Sequence, residues 1–184
     1  MSEGDVVSSR LASDDYNVYL YGELNHMAGL YMQQSVSEAV VRGRPKTLNI
    51  FISSGGGSVV SGLDLIATIR QAQLRGIKLH GRVQSMAGSM AAYVLLACDW
   101  RSMSPVAQLM LHGWEEGHQQ GVDKKTRAAL DESVKNMEAA IVELVKERSN
   151  LSEERIAEIF ADSAHKYFTA NQALEAGLVD EVCW

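Results

Sequence analysis

Proline and cysteine are scarce in this 184-residue chain, with two of each. Cys98 ends an apolar run and Cys183 lies beside the terminus, a spacing that reads as reduced thiols rather than a disulfide framework. So little proline, with 46% apolar residues, excludes collagen, low-complexity and disordered classes and leaves material for a core. Long hydrophobic runs are absent too. The longest nearly apolar stretch, Met86 to Cys98, falls short of the roughly 20 residues that span a bilayer and contains Gly88-Ser89, so no membrane helix is expected. The first residues, MSEGDVVSSRLASDD, lack the basic and apolar regions of a signal peptide. These features predict a soluble, cytoplasmic protein. Positive charge is short as well: 17 Lys and Arg against 23 Asp and Glu give a net charge of −6 with no basic stripe, which excludes nucleic acid as a partner. His26, His80 and His118 stand in no metal-ligand spacing with Cys or acidic residues, so neither a metal nor a cofactor is expected.

What is present is an alternation of strands and helices. Asn17 to Leu24 reads as a strand and about Asn25 to Val41 as a helix, ended by Gly43 and Pro45. Lys46 to Ile52 reads as a second strand, Ser53 to Ser58 (SSGGGS) as a loop, and Val59 to Arg75 as a helix. Ile77 to Gln84 is a third strand, followed by a turn at Ser85 to Gly88 and a buried helix over Ser89 to Ala97. This order predicts an α/β fold with a largely parallel sheet, forming one domain over 17–184 behind a flexible segment 1–16.

After Pro105, Val106 to His112 reads as a strand. Leu130, Val134, Met137, Ile141 and Leu144 then recur at 4-3-4-3 spacing in a helix over about 122–148, longer than a small core needs, which predicts projection or assembly. Ser152 opens a shorter helix, Thr169 to Gln172 is a capping box for the last one, and LVDEV reads as a closing strand. Trp100, Trp114 and Trp184 are expected to serve packing or interfaces.

Three features carry chemistry: Gly55-Gly56-Gly57 after a strand, Ser89 at the head of an apolar helix, and His112 at a strand end. Each has a plain structural reading, as a tight connection, an N-cap and a satisfied histidine. No Gly-Lys-Ser/Thr follows the glycines, so this is not a phosphate loop. Taken together they fit acyl transfer, which needs a nucleophilic serine, a base for its proton and donors for the oxyanion. Ser89 and the Met90 amide supply two of these roles. A second donor comes from the glycine segment, Gly57 first and Gly56 second, where no Cβ blocks a substrate carbonyl.

FISSGGGSVVSGLDL, SMAGSMAAYVLLA, LMLHGW and FTANQALEAGLVDEV resemble, in order, the glycine loop, nucleophile helix, histidine strand and C-terminal signature of the Clp protease proteolytic subunit family. The resemblance runs from about Val18 to Val182. It implies a crotonase-like (Clp-type) fold of repeated ββα units with a long handle helix. It also implies Ser89 as nucleophile, His112 as base, and Gly57 with Met90 as oxyanion hole. Peptides and unfolded proteins would be the substrates, stacked heptameric rings of identical subunits the assembly, and an ATP-driven AAA+ unfoldase a partner.

The chain departs from the family pattern at two places. Gly55 stands where the family usually has proline, which predicts a more flexible loop. The family's triad acid falls on His165, and the nearest carboxylate is Asp162. Three possibilities follow: Asp162 reaches the site, His165 orients His112, or there is no third member. A buried acid sets the base's tautomer and stabilises the imidazolium, whereas a neutral histidine does only the first. Two other readings share the architecture. One is a catalytically impaired ring subunit. The other is a signal-peptide-peptidase-like or phage-maturation-like serine protease, some of which use a lysine base, for which Lys124 and Lys125 are the candidates.

Overall fold

A computed structural model describes residues 8–10, 15–43, 45–114, 123–161 and 164–184. The elements in chain order are β1 (Ser8–Arg10), β2 (Asp15–Leu24), α1 (His26–Glu38), a short π-helix (Ala39–Gly43), β3 (Thr47–Gly57), α2 (Val59–Leu74), β4 (Lys78–Gly88), α3 (Met90–Leu96), β5 (Trp100–Met103), β6 (Gln108–Leu111), α4 (Lys124–Arg148), α5 (Glu153–Phe160), β7 (Lys166–Thr169), α6 (Ala170–Glu175) and β8 (Glu181–Val182). This is the expected α/β class, with the long helix at Lys124–Arg148.

The eight strands form one sheet of order β1-β2-β3-β4-β5-β8, from which β6 branches to pair with β4 and β7. Pairing is parallel from β2 through β5 to β8, and antiparallel for β1 on β2 and β7 on β6. Val18, Leu20, Leu48, Ile50, Ile52, Leu79 and Val83 alternate onto one face and are buried there. Met32 and Val36 of α1 and Leu65, Ile69 and Ala72 of α2 recur at helical spacing and join the same core. Asn25 and Ser58 cap these helices through side-chain oxygens on the amides of Ala28 and Ser61. The capping box at Thr169 and Gln172 forms as the sequence implied.

Strand β4 positions the site. Its first half pairs with β5, from His80↔Trp100 to Val83↔Met103, and its second half pairs with β6, from Met86↔Gln108 to Gly88↔Met110. Two expectations are corrected here. The SSGGGS loop is strand as far as Gly57, because Glu23 and Leu24 of β2 continue the ladder past a register shift. The turn expected at Ser85 to Gly88 is also strand, because β6 supplies its partners. Strands β5 and β7 were not legible: each is four residues long and lies where the sequence shows no β-branched alternation.

Arg101, 7% exposed, makes a bidentate pair with Asp180 and donates to the carbonyl of Arg148 at the end of α4. Arg148 in turn donates to the carbonyls of Leu96 and Cys98. The base of the long helix is thereby fastened to the sheet. Both cysteines are free, and burial pushes the Cys98 thiol up to about 12. Among the described residues no helix is long and apolar enough to cross a membrane.

Candidate active site

The C-terminal end of β3 lies against the turn between β4 and α3. Gly56 and Gly57 have φ of +101° and +144°, a region that side-chain-bearing residues rarely adopt. A Cβ on Gly56 would meet the Gly88 carbonyl oxygen at 2.6 Å and Ser89 Cβ at 2.7 Å; one on Gly57 would meet the Leu24 carbonyl oxygen at 2.6 Å. Only glycine permits this approach. The Gly56 amide donates to Ser54 Oγ at 3.1 Å, within its own strand.

Ser89 is the one non-glycine residue with positive φ among the described residues, at φ 51° and ψ −127°. Such a conformation costs on the order of 1–3 kcal/mol and persists only where the surroundings impose it. Here its amide donates to the Met110 carbonyl at 2.8 Å, and α3 behind it is buried at every residue. Ser89 makes no capping hydrogen bond, which removes the plain N-cap reading. Its Oγ instead lies 2.8 Å from His112 Nε2.

His112 is half-buried and directly follows β6. The register explains the meeting: Gly88 is opposite Met110, so the residues just past each strand end project at the same edge. The Tyr93 hydroxyl donates to the His112 carbonyl at 2.8 Å, and burial raises that phenol well above its ordinary value. The His165 ring, exposed, packs on His112 with centroids 4.9 Å apart at 59°. Asp162 lies outside the described residues.

A cavity of about 260 Å³ opens beside the Ser–His pair. Gly57, Ser89 and His112 form one part of its wall; Val59, Trp114, Val134 and Met137 form the rest. Sequence reasoning missed this second group. By sequence, Val134 and Met137 read as part of an assembly stripe and Trp114 as a packing or interface residue. The position of Trp114, two residues after His112, was the available signal. The stripe itself divides: Leu130 is 43% exposed, Val134 and Met137 line the cavity, and Ile141 and Leu144 are core.

Lys124 and Lys125 are exposed in the first turn of α4, and neither lines the cavity. His80 lies elsewhere, on Ser102 at 3.0 Å, and burial together with Arg82 lowers it to about 4. His118 is outside the described residues, among which no cluster of three His, Cys, Asp or Glu could hold a metal. Trp100 and Trp184 are exposed.

A family model described as Clp protease matches residues 6–184. The ATP-dependent Clp protease proteolytic subunit 2 of Rhodococcus jostii (strain RHA1) is 31% identical over 140 residues, covering 74% of this chain and 68% of that protein. Subunit 1 from Mycobacterium tuberculosis (strain ATCC 25618 / H37Rv) is 26% identical over 187 residues, 99% of this chain and 88% of that protein. The proteolytic subunit of Bacteroides fragilis (strain YCH46) is 29% identical over 143 residues, 74% of this chain. The chain spans only 60% to 64% of the length of the Bacteroides proteins it matches.

Proposed function

Because the chain belongs to the Clp protease family, we propose that it is a serine endopeptidase hydrolysing peptides and unfolded proteins. The observation that carries this reading is the 2.8 Å approach of Ser89 Oγ to His112 Nε2, at a serine held in a strained backbone conformation beside a cavity. Ser89 Oγ attacks the scissile carbonyl carbon while His112 Nε2 takes its proton. The amides of Gly57 and Met90 receive the oxyanion; engagement of the Gly56 amide by Ser54 favours Gly57 over Gly56. The imidazolium then protonates the leaving amine, and water repeats the sequence on the acyl-enzyme to release the acid and restore Ser89.

His165 takes the third position and orients His112 through their ring contact. A neutral ring there offers no charge to stabilise the imidazolium, so turnover is slower than with a buried acid. The same exposed histidine favours the second reading, a ring subunit with impaired catalysis. Substrate binds extended beside the β3 end, with an apolar side chain against Val59, Trp114, Val134 and Met137. The protein works in the cytoplasm as stacked heptameric rings fed by an ATP-driven unfoldase. Leu130, apolar and exposed on α4, supports a role for that helix between rings.

The direct test is hydrolysis of short fluorogenic peptides. Ser89→Ala removes a hydroxyl that caps nothing, so the fold and assembly remain while activity vanishes; unchanged hydrolysis would refute Ser89 as nucleophile. Leu130→Asp should yield smaller species in sedimentation, and an unaltered profile would remove the helix from the interface.

A further inference from the structure

We propose that Glu138, on the long helix α4, is a positioning residue for the histidine base; this rests on the reading of Ser89 and His112 given above. His112, Gly113 and Trp114 follow the end of β6 and belong to no regular element. Three bonds from three helices reach this segment. The Tyr93 hydroxyl of α3 donates to the His112 carbonyl at 2.8 Å, the Gly113 amide donates to the Ile159 carbonyl of α5 at 3.0 Å, and the Trp114 amide donates to Glu138 Oε1 at 2.9 Å.

The third bond differs from the other two. Tyr93 and Ile159 are fully buried and fixed by the core, whereas Glu138 is half-buried on a helix whose earlier turns are mostly exposed. Its acceptor is a carboxylate, which makes the bond charge-assisted and stronger than a neutral one. Glu138 stands beside Met137, a wall of the cavity, and one turn before Ile141, where the helix enters the core. The carboxylate thus joins the handle to the main chain two residues beyond the base. It also holds Trp114, whose side chain lines the cavity. Its field is one of the influences that raise the Tyr93 phenol, after burial, which places its charge within reach of a second of the three tethers. A shift of His112 relative to Ser89 by a fraction of an ångström is enough to slow proton transfer.

The experiment compares the wild type, Glu138→Ala and Glu138→Gln. The rate of acylation by a small fluorophosphonate is measured with the labelled residue identified by mass spectrometry, alongside kcat, KM and Tm. Glutamine keeps an acceptor oxygen and alanine does not. Loss of positioning should lower the acylation rate and kcat of Glu138→Ala about tenfold, with Ser89 still the labelled residue. Glu138→Gln should recover to within about threefold of the wild type, which a purely electrostatic role would not allow. Alanine is a good helix former and should keep the fold, checked by Tm. An unchanged acylation rate in Glu138→Ala, or a glutamine variant as slow as the alanine one, would overturn the proposal. A wild type left unlabelled at Ser89 would instead bring down the catalytic reading on which it rests.

Discussion

The two halves of the Ser–His pair are held by different means. On the serine side the contacts are closely packed: β4 runs into Ser89, Ser89 into the buried helix α3, and Gly56 of β3 touches the turn with no room for a Cβ. On the histidine side the strand is four residues long, and its exit receives single hydrogen bonds from α3, α4 and α5. Packing makes the first side stiff and intolerant of added atoms. The second is a set of separate tethers, each removable at modest cost. The strained conformation of Ser89 belongs on the stiff side because only an over-determined setting can sustain it.

That contrast sets the order of expected effects. Gly56→Ala should be the most damaging substitution, because its Cβ would collide with the Gly88 carbonyl oxygen and Ser89 Cβ at a φ of +101°. A fall in kcat of about 100-fold is expected, with a stability loss of about 2 kcal/mol by denaturant titration. Near-normal activity would show that the turn at Ser89 has slack. His165→Ala comes next, since it removes the ring packed on His112: acylation should slow by about tenfold across pH 6 to 9, while Asp162→Asn stays near wild type. The reverse pattern would make Asp162 the third member, and no change in either would reduce the site to a dyad. Tyr93→Phe should be mildest. It deletes one tether to the His112 carbonyl, costing about 1 kcal/mol of stability and a few-fold in kcat. If it proved as harmful as Gly56→Ala, the contrast between the two sides would collapse.

The same contrast governs what could be read from the sequence. The serine side was legible because its determinants are two short local patterns: three glycines after an apolar strand, and a serine before an apolar helix. The histidine strand could be found, but not what holds it, since Tyr93, Glu138 and Ile159 meet residues 112–114 only through tertiary packing. Strand β5 was invisible for a related reason, because Trp100 to Met103 extends only where β4 and β8 provide partners. The glycine segment misled in the other direction: SSGGGS has loop composition, but parallel pairing with β2 carries it on as strand. The apolar stripe of α4 correctly marked one helical face. Periodicity could not tell that its first residue is exposed, its middle lines the cavity and its end is core.

The central claim is that Ser89 and His112 work together as nucleophile and base. Mass spectrometry of the protein after reaction with a fluorophosphonate tests it most directly. Ser89 should carry the adduct in the wild type, and the His112→Ala protein, folded by circular dichroism, should remain unmodified at the same reagent concentration and time. An adduct missing from Ser89 in the wild type, or formed on Ser89 equally fast without His112, would contradict the account.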